Sequence, residues 1–346
     1  MPPDEAQTPT GGSSGAEQAL PRPPADGKAP VRTGAPAQPS EPGEPPAPGD
    51  APASPPARRE IADFLPDPRR SPDMDWSPWS AGLALIGGLV LAALGGLIVD
   101  IPAVVLGVKI TSGHTPPGIE LADTIVQDVG FVLAAVYCAH LGGRVVRAWQ
   151  FGLRRPAVGW WRATGMILLL LLAFLLLSAI WSALANPGKE KLLEQLGTNE
   201  AASLLLLSAG LTCVIAPICE EFLFRGYIFT ALRSWRGTWP AAVMTGLLFG
   251  GVHAGSAPAL DLVPLALLGF GLCLLYRYSG SLYPGIATHS LNNSLAFAAL
   301  EGWSWQAPVL IVCSLALIAA LVLLGKRVGL IGPDPVPRRF AVAPGA

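Results

Sequence analysis

The sequence has 346 residues, of which 51% are hydrophobic and only 14% charged, with a formal net charge of −1. A charged share so far below the roughly 25% of a soluble domain excludes an ordinary water-soluble globule, and the near-neutral balance offers no basic surface for nucleic acid. The five cysteines (Cys138, Cys213, Cys219, Cys273, Cys313) lie in or beside apolar runs and form no Cys-x-x-Cys pair; they read as small packing residues rather than as a disulfide set or metal cluster.

The polar residues gather at the start. Residues 1–75 form a low-complexity arm rich in Pro, Ala and Gly, with stretches such as Glu44-Pro45-Pro46. It lacks the branched and aromatic residues whose burial would offset the ordering entropy. A disordered cytosolic tail is expected, and with no basic start before an apolar stretch it is not a signal peptide.

Eight apolar runs follow, near 79–99, 121–141, 164–185, 202–233, 239–255, 259–277, 282–300 and 307–325. Each is about the length that crosses a bilayer as a helix. The expected fold is an all-α, polytopic transmembrane bundle of about eight helices over residues 76–330, with a short tail at 331–346. Pro217 sits inside the long fourth run and predicts a bend there. Gly88, Ala92 and Gly96 recur every four residues in the first run, and Gly246 and Gly250 in the fifth, a spacing that lets helix backbones approach.

Arg and Lys alternate between the two sets of loops. Arg69, Arg70, Arg144, Arg147, Arg154, Arg155, Arg162, Arg233, Arg236, Arg277, Lys326, Arg327, Arg338 and Arg339 fall on one side, and only Lys109, Lys189 and Lys191 on the other. Positive charge marks the cytosolic side, so both termini are expected there. The aromatic pairs Trp160-Trp161 and Trp303/Trp305 read as membrane-interface anchors.

A charge at the centre of a span costs about 2.5–3.5 kcal/mol on insertion scales, so it calls for a partner or a function. The fourth run carries Glu220, Glu221 and Arg225 within six residues. Glu221 and Arg225 are four apart and share a helix face. Glu220 points about 100° away, which leaves it without that partner. His253 closes the string Phe249-Gly-Gly-Val-His253, and His289 opens His289-Ser-Leu-Asn-Asn293. Counted from the basic ends of their helices at 1.5 Å per residue, Glu220, His253 and His289 lie roughly 20, 21 and 10 Å inside. These depths are compatible with one shared site.

The three strings Glu220-Glu221-x-x-x-Arg225, Phe249-x-x-x-His253 and His289-x-x-x-Asn293 resemble, in order, the three motifs of the CPBP family. That family includes CAAX prenyl endopeptidases and the bacteriocin-processing or self-immunity (Abi) proteins. The resemblance covers about residues 200–300. It implies an intramembrane endopeptidase in which Glu220, aided by His253, activates water. His289 and Asn293 then stabilise the oxyanion, while Glu221, Arg225 and Phe249 hold the motifs in shape. One Glu and two His also make a zinc donor set (Glu220, His253, His289) with a position left for water; a metal-free route stays open beside it. The implied partners are a peptide or membrane-protein substrate and membrane lipid; the high Ala, Gly and Pro content and the absence of targeting signals fit a bacterial plasma membrane.

Two other functions suit such a chain. A transporter would use the same groups as a proton relay, but the charged motif has no counterpart in the first half, as an internal repeat would require. A non-enzymatic immunity or scaffold protein would dock through the Pro-rich arm. Asp123 and Asp128, in no motif, read as interfacial or helix-pairing groups as readily as functional ones. His114 reads as a solvated loop residue and His140 as interfacial.

Overall fold

The computed structural model describes residues 76–110, 115–143, 145–185 and 202–332. The arm, the tail beyond 332, and His114, Arg144, Lys189 and Lys191 lie outside the described residues. Eight long helices make up the fold among the described residues: α1 (Pro78–Val105), α2 (Pro117–His140), α3 (Trp160–Ala185), α4 (Ala202–Arg236), α5 (Thr238–Val252), α6 (Leu262–Ser279), α7 (Tyr283–Leu300) and α8 (Gln306–Arg327). Proline opens α1, α2 and α7, where its missing N–H removes a donor that the helix start leaves unpaired anyway.

Six of these segments are long and apolar enough to cross a membrane: α1, α2, α3, α4, α8, and α6 with the turn that leads into it. The other two expected spans form helices but miss that standard. α5 has 15 residues, about 22 Å of rise, and ends before His253. α7 carries Thr288, His289, Ser290, Asn292, Asn293 and Ser294 along its length. Both depart from a plain lipid-facing span because they supply polar groups to the interior.

Glycines set the tightest approaches, as their spacing anticipates. A Cβ on Gly246 would lie 2.6 Å from the Ala266 carbonyl oxygen, and one on Gly250 2.6 Å from that of Leu262. α5 and α6 therefore meet backbone to backbone. α1 and α2 also approach closely: a Cβ on Gly130 would lie 3.3 Å from the Gly88 carbonyl oxygen, and one on Gly88 would press into the Phe131 ring at 2.8 Å.

One end of the bundle is closed by the segment between α2 and α3. Its short 3-10 turn (Ala148–Phe151) ends at Gly152, whose φ of 90° no β-carbon-bearing residue adopts easily. Beyond it, Arg154 Nε donates to the Gly280 carbonyl at 2.8 Å, Ser281 Oγ to the Arg154 carbonyl at 2.6 Å, and Leu282 N–H to the Gly152 carbonyl at 2.9 Å. These bonds fasten the segment to the α6–α7 turn. Trp76, Phe151, Phe222 and Tyr227 stack beneath it, with ring centroids 4.3–5.0 Å apart along the chain of contacts, and Tyr227 donates to Ser80 Oγ at 2.8 Å.

The exposed Trp160, Trp161 and Trp305 suit interface anchors, whereas Trp303 is half-buried against Phe297. All five cysteines are free thiols. His140 lies at the exposed end of α2 and donates from Nδ1 to the Val136 carbonyl.

Gly250→Leu is expected to cost at least about 1–3 kcal/mol, the penalty of overpacking. Gly251→Ala, where a Cβ meets nothing within 4 Å, should leave stability unchanged. Thermal unfolding of both variants in the same detergent checks the pair.

Candidate active site

The site begins with a disturbance in α4. A regular helix would pair Ala216 N–H with the Thr212 carbonyl. Here it bonds instead to the carbonyl of Leu211, within a wide i→i+5 stretch over Leu211–Ile215, the kind of turn that recurs at functional sites. Next comes Pro217, which has no N–H to give to the Cys213 carbonyl. Two backbone oxygens are thereby released, and α7 takes both. Asn293 Nδ2 donates to Thr212 O at 2.9 Å and Ser290 Oγ to Cys213 O at 2.6 Å. A second wide stretch, Phe222–Phe229, follows the two glutamates.

Glu221 and Arg225 are completely buried and joined at 2.7 Å, as their spacing predicts. Arg225 also donates to the Gly269 carbonyl of α6 at 3.1 Å, and its guanidinium lies 4.4 Å from the Phe249 ring centroid. Gly285 of α7 faces the second Glu221 oxygen, where a Cβ would come within 2.8 Å.

His289 bridges the two glutamates. Its Nδ1 donates to Glu221 Oε1 at 3.1 Å, which turns Nε2 toward Glu220 Oε2 at 3.8 Å. His253 occupies the 3-10 turn just beyond α5, and its Nδ1 lies 2.7 Å from the Phe249 carbonyl. A carbonyl only accepts, so Nδ1 carries the hydrogen, and in the neutral imidazole Nε2 is then the acceptor. Phe249, fully buried, packs on both imidazoles, with centroids at 5.0 Å to His253 and 5.6 Å to His289.

A cavity of about 770 Å³ adjoins these groups, and Glu220, His253, His289 and Asn293 all line it. Glu220 keeps 12% of its side chain exposed, whereas Glu221, Arg225 and Phe249 stand behind the wall, fully buried. The carboxylate expected to be free is the one that faces the cavity. Asn293 spends one amide hydrogen on Thr212 and retains a second.

Part of the wall comes from acidic residues that no motif marks. Asp100 of α1 and Glu120 of α2 line the same cavity, together with Asp123 and Gln127. A charge inside or beside an apolar run was the available signal, though with no motif around it. Asp128 is 1% exposed, lies near enough to Glu220 to interact with its charge, and its carboxyl has no hydrogen-bond partner among the described residues. Those residues contain no group of three or more His, Cys, Asp and Glu side chains arranged to hold a metal ion.

Residues 202–295 match the family model described as type II CAAX prenyl endopeptidase Rce1-like. The chain belongs to the CPBP family. The match spans the three motifs and the helices α4 to α7 that carry them. An uncharacterised 24.3 kDa protein of Escherichia coli is similar at 30% identity over 172 residues, covering 48% of this chain and 76% of that protein. No solved structure matches. The family is one of CAAX-type proteases, and with its six apolar helices the chain is an integral membrane protein.

Arg225→Ala would leave the buried Glu221 with His289 as its remaining partner, a change expected to cost about 3–5 kcal/mol. Arg225→Lys keeps the charge but not the planar fork that reaches both Glu221 and Gly269, so an intermediate loss is expected. Unfolding midpoints of the purified variants rank the three proteins.

Proposed function

We propose that the protein is an intramembrane endopeptidase that hydrolyses a peptide bond with water activated by Glu220. The observation that carries this reading is the convergence of Glu220, His253, His289 and Asn293 on one cavity from three separate parts of the chain. The chemistry runs as general base catalysis. The Glu220 carboxylate takes a proton from a water whose other hydrogen is accepted by the His253 Nε2 lone pair. The water oxygen attacks the peptide carbonyl carbon. The charge that develops on the carbonyl oxygen is met by the remaining Asn293 amide hydrogen and by His289. Collapse breaks the C–N bond, and Glu220 returns its proton to the leaving amine. Donors held in place by the fold act strongly on the developing charge.

Glu221, Arg225 and Phe249 are positioning residues in this scheme. Glu221 orients His289 through Nδ1, much as a buried carboxylate orients the histidine of a catalytic triad. The substrate we favour is a membrane-associated peptide or protein segment in a bacterial plasma membrane. The family model's prenylated CAAX peptides are a second class to assay.

Glu220→Gln preserves shape and removes the base. It is expected to lower turnover of a membrane peptide substrate by about 10²–10⁴-fold while the unfolding midpoint stays near wild type. Normal cleavage by that variant would refute the role. Asn293→Ala is expected to lower kcat by about 10²–10³-fold, the usual effect of losing one oxyanion donor. Cleavage that survives exhaustive treatment with a zinc chelator, in protein free of metal by elemental analysis, is the outcome this scheme expects. Loss of activity restored by zinc would replace it with a metal-assisted one.

A further inference from the structure

The cavity has a direction. Its walls come from the same end of successive antiparallel helices. They are α1 from Leu89 to Asp100, α2 from Glu120 to Phe131 with Thr115 before it, α4 from Thr212 to Glu220, Val252 with the residues just past α5 (His253 to Ser256), the first half of α6 (Leu265, Leu268) and the middle of α7 (His289 to Ala296), so the cavity runs from mid-helix toward this end. Gly255, at this end, lines the cavity and is exposed. The opposite end carries the basic residues: Arg147 and Arg155 after α2, Arg236 closing α4, Arg277 closing α6, and Lys326 and Arg327 closing α8. It is also the end sealed by the 145–159 segment and its aromatic stack. Among the described residues the cavity end has Lys109 against this set.

Basic loops stay on the cytosolic side of a membrane. We infer that the cavity opens on the non-cytosolic face, so that the peptide cleaved there is one already inserted into the membrane or carried across it. The statement about substrate rests on the protease reading; the statement about sidedness does not. The reaction that supplies the substrate is then a translocation or insertion step. Products with a new end on the far face leave the cavity without crossing back.

Two arms test this. In a full-length Cys313→Ala background, whose remaining cysteines are buried or half-buried, Gly255→Cys and Thr115→Cys report the cavity end and Arg327→Cys the basic end. A Cβ at Gly255 meets nothing within 4 Å, so the thiol is accommodated. A membrane-impermeant maleimide should label Gly255→Cys or Thr115→Cys in right-side-out membrane vesicles and lose that labelling in inverted ones, with Arg327→Cys showing the reverse. Cavity-end labelling only in inverted vesicles overturns the inference. Cavity and basic ends labelling from one side, or neither cavity-end thiol labelling from outside, does so too.

The second arm uses membrane-anchored reporter peptides with the scissile stretch on one face or the other. Cleavage confined to the far-face reporter, and lost in Glu220→Gln, is expected; cleavage confined to the cytosolic reporter overturns the inference. A protein that labels as expected and cleaves neither reporter keeps its sidedness and loses the protease reading.

Discussion

The Glu221–Arg225 ion pair is the constraint on which the interior depends. Two charges taken out of water cost several kcal/mol each unless partners offset the loss; neither side chain here has any exposure, and Glu221 Oε2 and Arg225 Nε have no hydrogen-bond partner among the described residues. The compensation is drawn from four helices. Glu221 and Arg225 come from α4, the Phe249 ring from α5, the Gly269 carbonyl from α6, and His289 with the space left by Gly285 from α7. Desolvation therefore specifies assembly: the pair is tolerable only when the helices bearing the other two motifs are already in place. Glu220, one residue away and a third of a turn round, gains a fixed position without sharing in that neutralisation.

A second constraint is the backbone of α4. In an apolar medium a carbonyl without a hydrogen bond is costly, and the wide turn with Pro217 releases those of Thr212 and Cys213. Asn293 and Ser290 answer them. The same amide that covers a defect in α4 thus arrives beside Glu220 with a hydrogen to spare. Structural repair and the presentation of a donor are two uses of one side chain, which explains why polar residues crowd α7 at the expense of its apolar length.

Much of this was legible in the residues. Hydropathy located all eight helices, the four-residue spacing of Glu221 and Arg225 predicted their bond, and the isolation of Glu220 predicted which carboxylate would face open space. Gly246 and Gly250 marked a close-packing face on α5, though not the helix that meets it. Other features were not legible, for physical reasons. The wide turns in α4 arise from how backbone groups are shared between helices, and no local pattern encodes them. α5 and α7 look like spans by composition, yet their length and polarity serve the interior. Asp100 and Glu120 join the cavity wall only because α1 and α2 pack through Gly88 and Gly130, a tertiary fact. The roles of Glu221 as orienter of His289 and of Phe249 as a ring shared by two imidazoles likewise appear only in three dimensions.

The closed end of the bundle has a consequence for the membrane as a whole. A hydrated hollow deep in a bilayer is a hazard, because a continuous file of water would let protons run down their gradient. Here Trp76, Phe151, Phe222 and Tyr227, none of which lines the cavity, pack their rings beneath the bonds of Gly152, Arg154 and Ser281 at the basic end. Hydrolysis can thus have its water inside the lipid layer while the barrier to ions stays intact.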